Sequence, residues 1–210
     1  MIKREVTSLV KNLLPKQDKT GKYHDAVVEA ALNVVYSNIL NDIHTEDARE
    51  LDNYTTMYRN VAVTLTYEPY PHSTVPVSYI SFRDKASGIR RIWGYDDADT
   101  LVRFYPMDSR EVDLAQRGSM SGQAGIGARV GYVVRSNTVE YFNMITTSPS
   151  LRLSYVNMDI VVEFSALDED AVVKLPHGKE NVLIAGALEM LGVIPPVDLR
   201  DNNADAQRSE

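Results

Sequence analysis

The chain has 210 residues, 44% of them apolar, with 22 basic against 29 acidic side chains and a net charge of −7. Its size allows a substantial core, and its negative balance excludes a general nucleic-acid binder, which needs cationic charge to displace counterions from phosphate. The complete lack of cysteine excludes disulfides, thiolate metal sites and cysteine nucleophiles.

Ile2, Val6, Leu9, Val10, Leu13 and Leu14 recur at helical spacing and predict an amphipathic helix over 2–14. Pro15 ends it, because the residue before proline is pushed out of the helical region. The early charges at Lys3, Arg4 and Glu5 leave no apolar run for a signal peptide. The segment PKQDKTGK, 15–22, reads as a loop. Residues 1–22 carry six basic side chains against Glu5 and Asp18, a local +4 that leaves −11 for the remainder. A basic arm on an acidic body suits docking between unlike surfaces, a neighbouring copy included.

The next stretch, KYHDAVVEAALNVVYSNIL, predicts a second helix over 22–43. On a helical wheel its apolar side chains cover an arc of about 200°, twice the stripe of about 100° that a surface helix needs. The excess calls for a deep core or a second molecule. His24 reads as a polar residue at the helix entry, and Asp25 complements the helix dipole.

From Tyr54 to Ser165 the pattern turns to strands. MYRNVAVTLTYEPY alternates through Val61, Val63, Leu65 and Tyr67, and VPVSYISF, GIRRIWGY and DTLVRFYP follow between turn signals. REVDLAQRGSMSGQAGIGA predicts a long loop, opening with one helical turn. RVGYVVRSNTVEYFNMI predicts a hairpin turning at Ser136–Asn137, and LRLSYVNMDIVVEFSAL supplies further strand. Tyrosine dominates the aromatics, 12 against 4 Phe and 1 Trp. It suits half-wet protein contacts or cross-strand pairs on an exposed sheet face.

A third helix is predicted over 178–191, with Gly192 at its C-cap. The fold class is α+β: two N-terminal helices, a mainly antiparallel β-rich middle (54–165), one C-terminal helix and an extended tail. Residues 1–194 read as one domain and 195–210 as the tail, opened by Pro195–Pro196. In an extended chain Val197 and Leu199 share a side, and Asn202 and Asn203 offer amides, so this segment is expected to leave its own domain and lie along a neighbouring subunit or the portal.

Catalytic signatures are sparse. Gly122, Gly125, Gly127 and Gly131 lack dinucleotide-loop spacing and precede a strand instead of opening a helix. His24, His44, His72 and His177 form no metal-binding spacing. Asp168, Glu169, Asp170 and His177 are the best candidate carboxylate–histidine site, and a small hydrolase built on them is one alternative reading. No cofactor is expected, and no stretch has the roughly 20 apolar residues of a membrane span.

The stretches LLPKQDKTGKYHDAVVEAALNVVYSNIL, LDEDAVVKLPHGKENVLIAGALEMLG and DLRDNNADAQ, with the strands between them, resemble the head-to-tail connector (ring, adaptor or neck) structural proteins of crAss-like tailed phages. The resemblance implies a virion protein made in the host cytoplasm. It implies a dodecameric homo-oligomeric ring between the portal and the next neck or tail ring, around a DNA channel, with no enzymatic activity. In such a ring Val27, Val28, Ala31, Leu32, Val35 and Ile39 are the expected subunit-interface residues. The loop carrying Arg117, Gly122, Gly125, Gly127 and Arg129 would line the channel and touch passing DNA transiently. A minor capsid or cargo protein is the other alternative.

Overall fold

Helix α1 (Lys3–Leu13) starts at Ile2, whose N–H donates to the Glu5 carboxylate at 3.0 Å. Isoleucine has no oxygen to return that bond, so this is half of a capping box. The structure, a computed structural model, describes residues 1–14, 23–65, 70–84, 87–95, 99–108, 111–112, 130–142 and 153–193. The chain divides into two compact units, Met1–Ile43 with Leu167–Glu210, and His44–Ala166.

The first unit is helical and is built from both ends of the sequence. Besides α1 it holds α2 (Asp25–Glu46), whose last three residues belong to the second unit, and α3 (Glu180–Met190). The predicted ranges 2–14, 22–43 and 178–191 lie within a few residues of these, the usual scatter at helix ends. The N-terminal strand of backbone is stitched to 169–173. Lys3 N donates to Ala171 O at 2.9 Å, Arg4 N to Glu169 O at 3.0 Å and Val173 N to Met1 O at 3.0 Å. The α1 side chains Val6 and Val10 are buried. In α3 the buried face is Leu183, Ile184, Ala187 and Leu188.

Two local devices fix α3. Gly186 lies close to α2: a Cβ placed there would sit 2.8 Å from Val35 Cγ1. At the far end Gly192, at φ +73°, makes the turn that ends the helix. Its N–H donates to Glu189 O and the Val193 N–H to Leu188 O, both at 2.9 Å, the paired bonds of a Schellman motif.

The second unit is a rolled mixed sheet. Its strands are β1 (Thr56–Ala62), β2 (His72–Thr74), β3 (Ile89–Tyr95), β4 (Leu101–Pro106), β5 (Val130–Arg135), β6 (Thr138–Phe142) and β7 (Tyr155–Ile160), in the spatial order β1-β7-β3-β4-β5-β6-β2. All neighbours are antiparallel except β4 and β5, which run parallel. Just past β1, Thr64 exchanges backbone bonds with His72 of β2 at 2.7 and 3.1 Å, joining the two ends of the sheet into a barrel. Val102, Phe104, Val156, Met158 and Ile160 are among the side chains that fill its core. The fold class is α+β.

Several strand expectations shift. VPVSYISF makes isolated bridges, Tyr79 with Val162 and Ser81 with Ser87, not a ladder; Pro76 lacks the N–H that a central strand needs. The alternation from Val61 holds as far as it is described, with Val63 buried, Val61 and Leu65 half-buried and Ala62 and Thr64 exposed, while Tyr67 lies outside the described residues. Just before it a bulge in β1, where Asn60 adopts φ +55°, slips the register with β7. The hairpin turn falls at Ser136–Asn137 as expected, with Ser136 at φ +52°. The expected helical turn after β4 begins at Glu111. There Asp108 and Glu111 cap each other, N–H to carboxylate, at 2.9 and 2.8 Å.

Candidate functional site

A strand with one face in a core sends alternate side chains outward, and three adjacent strands of the barrel do this with unusual residues. Strand β3 turns out Arg91, Trp93 and Tyr95, and β4 turns out Leu101, Arg103 and Tyr105. Strand β7 adds Tyr155, Asn157 and Asp159 on the other side of β3. The register places Trp93 directly between Asn157 and Arg103, Tyr95 opposite Leu101, and Asp159 between Arg91 and Met57 of β1. Tyr95 is 57% exposed and Tyr155 59%. Met57, Leu101 and Tyr105 are also exposed. One face of the sheet thus carries aromatic and thioether side chains that stay accessible, with no layer over them among the described residues.

The β3–β4 ladder has three pairs, ending at Trp93–Arg103. A cavity of about 700 Å³ opens around these strands, lined by both of them together with Met57, Tyr132 and Asp159. Its charge is uneven. Asp52, from the 3₁₀ turn Glu50–Tyr54, accepts from Arg90 Nε at 3.2 Å and from Arg91. Burial works to raise the Asp52 carboxyl, but the two guanidinium groups outweigh it and hold it below the ordinary carboxylate value. The same bond pushes Arg91 upward. Arg90 also donates to Ala48 O at 2.8 Å. Burial pushes the Tyr132 hydroxyl up to about 12, so it stays neutral. Arg103 is exposed and makes no ion pair among the described residues.

The residues singled out in the sequence fall as follows. Of the six α2 interface candidates, Val28, Ala31, Leu32, Val35 and Ile39 are buried within the chain itself. Val27 alone stays accessible, at 46%, and the next exposed positions along its stripe are Ala30 and Val34. The basic arm finds acids in its own chain. Lys3, 4% exposed, bonds Glu29 at 2.6 Å and the Leu167 carbonyl at 2.9 Å, with Glu169 at 3.8 Å. Arg4 meets Asp170 at 3.3 Å and Lys11 meets Asp25 at 2.9 Å. That contact, led by the hydrogen bond from Lys11, lowers the Asp25 carboxyl.

The carboxylate–histidine candidates are therefore engaged elsewhere or in solvent. Asp168 and His177 are exposed, and His177 lines neither the cavity beside β3 and β4 nor the one beside Val75–Tyr79. No group of three or more His, Asp or Glu among the described residues is placed to hold a metal ion. His24 sits at the entry of α2, where its ring accepts from Ala26 N–H at 3.4 Å. His44 pairs with Asp84 at 2.9 Å and stacks on Phe82. Of the tyrosines in the strand region, Tyr95 and Tyr105 are exposed while Tyr132 and Tyr141 are core. The loop candidates Arg117, Gly122, Gly125, Gly127 and Arg129, and the tail candidates Val197, Leu199, Asn202 and Asn203, lie outside the described residues.

Sequence reasoning passed over Trp93, Arg103 and Tyr155. The usable signal was parity: in LVRFY the outward positions are Leu101, Arg103 and Tyr105, and in IWGY they are Trp93 and Tyr95. No helix among the described residues is long and apolar enough to cross a membrane. Comparison with protein-family models and with curated proteins returned no match.

Proposed function

We propose that this chain is a non-enzymatic assembly protein, a subunit of a homo-oligomeric ring in the neck of a tailed phage. In this reading it joins the portal to the next ring or tail protein around the DNA channel, and the open barrel face is one of its protein contacts. The observation that carries the assembly reading is the composition of that face. Trp93, Tyr95, Tyr105 and Tyr155 lie beside Arg91 and Arg103, the residue types enriched where proteins bind one another. Negative net charge fits the same reading, since a like-charged wall lets DNA slide without sticking. The neck, the portal and twelve copies come from the resemblance of the sequence to crAss-like ring proteins.

Mass photometry and electron-microscopy class averages of the purified chain test this. The expected result is a closed ring with cyclic symmetry and twelve subunits. A protein that stays monomeric to high micromolar concentration, with no affinity for a portal, overturns it.

A further inference from the structure

The chemistry of the open barrel face specifies what it takes. Trp93, Tyr95 and Tyr105 offer apolar walls, and the cavity beside them holds three arginines against Asp159. Asp52 occupies Arg90 and Arg91. Arg103 remains, directly across from Trp93 and without an ion pair among the described residues. The matching ligand has two apolar side chains and a carboxylate on one side of an extended backbone.

The chain's own sequence contains that pattern outside the described residues. Segment 194–210, IPPVDLRDNNADAQRSE, has four acids against two arginines. Pro195–Pro196 favour an extended backbone. Residues two apart in an extended chain point the same way at steps of about 6.7 Å. Val197, Leu199 and Asp201 therefore share one side. Tyr95 and Trp93 are separated by the same two-residue step on β3.

We infer that the barrel face of one subunit binds the segment 194–210 of a second copy, with Val197 and Leu199 against Tyr95 and Trp93 and Asp201 on Arg103. The inference rests on reading this face as a protein contact, and it names the partner. It makes the subunit contact heterologous, groove to tail, the kind that closes into a ring when the rotation allows.

Trp93 is the chain's only tryptophan, so its emission reports on this face alone. The test uses the full chain, a chain lacking 194–210, and a synthetic peptide of 194–210. The peptide is expected to change Trp93 emission of the shortened chain saturably. Arg103→Glu is expected to weaken it at least tenfold, and a peptide carrying Asp201→Arg to regain at least tenfold on that variant. This rescue also shows that the variant is folded; Arg103→Gln, which keeps the size without the charge, should weaken the native peptide as well. No saturable response, or one unchanged by both Arg103 variants, overturns the inference. So does a full chain whose emission matches the peptide-saturated state while it is still monomeric, because the tail then lies on its own barrel. A response to a single-stranded oligonucleotide but not to the peptide overturns it too. Ring formation by mass photometry is scored separately. Rings without peptide binding sink this inference only, and peptide binding without rings sinks only the ring reading.

Discussion

Asp52 shows how one side chain organises the basic rim of the barrel face. It occupies two neighbouring arginines, and it keeps Arg90 turned to the Ala48 carbonyl. Its folded carboxyl titrates below the ordinary 3.8, so the pairs stabilise the fold fully at pH above 3.8. The contribution disappears as pH falls through the lower folded value. Asp52→Asn should therefore cost about 1–2 kcal/mol at neutral pH, the scale of partly exposed charge-assisted bonds. Its stability should fall less steeply than that of the native chain as pH drops below that point. Urea unfolding at pH 7 and at pH 3 checks both. Equal slopes for the two proteins would show that Asp52 is not the linked group. Lys3 makes the complementary point in the helical unit. A buried ammonium is tolerable there because a carboxylate and a carbonyl lie within 2.9 Å of it.

At the scale of elements, the helices and the hairpin were legible because their signals are local. Apolar spacing, Pro15, Gly192 and Ser136–Asn137 each act within a few residues of themselves. The strand at VPVSYISF misled for the opposite reason. Whether a run of β-formers joins a ladder depends on a partner far away in sequence, and a bulge at Asn60 resets which side chains face inward. The short strand His72–Thr74 has no signal beyond its pairing with β6. The wide apolar arc of α2 was read correctly as an excess that needs cover. Sequence alone did not reveal that most of it is buried within the chain. The contact of α3 with α2 at Gly186 gives a sharp test. Alanine would gain about 1 kcal/mol of helix propensity. Its Cβ would meet Val35 Cγ1 at 2.8 Å and Cγ2 at 3.2 Å, and the β-branched valine cannot easily turn away. Overpacking of this kind costs about 1–3 kcal/mol, so Gly186→Ala should lower stability by about 1 kcal/mol. In a Val35→Ala background the same change should stabilise. A gain in the native background would show that the helices have room to part.

At the scale of the whole molecule, the exposed aromatic face was legible only strand by strand, through the alternation within each, and not as one surface. It is assembled from β3, β4 and β7, three strands separated by up to about 60 residues, and parity across them appears only once the register is known. The division of the chain adds a test. Residues 44–166 form a compact unit with a joined sheet and their own core, so this fragment should fold alone. Circular dichroism should show a β spectrum and a cooperative melt; a fragment without a transition would mean that the barrel depends on the helices.

That division also dictates an order of events during synthesis. Every strand of the barrel has been made once Ile160 has left the ribosome, while α1 and α2 still lack their contacts with residues 167–193. Their closing pieces, the 169–173 backbone and α3, are translated after the barrel strands. The barrel can therefore mature while the chain is still attached, and the helical unit can be completed only after the barrel's strands have been made. During that interval Val35 and Tyr36 of α2 lack their contacts with Gly186 and the Lys174 carbonyl, so a pause downstream of residue 166 would leave that part of α2 without its native cover.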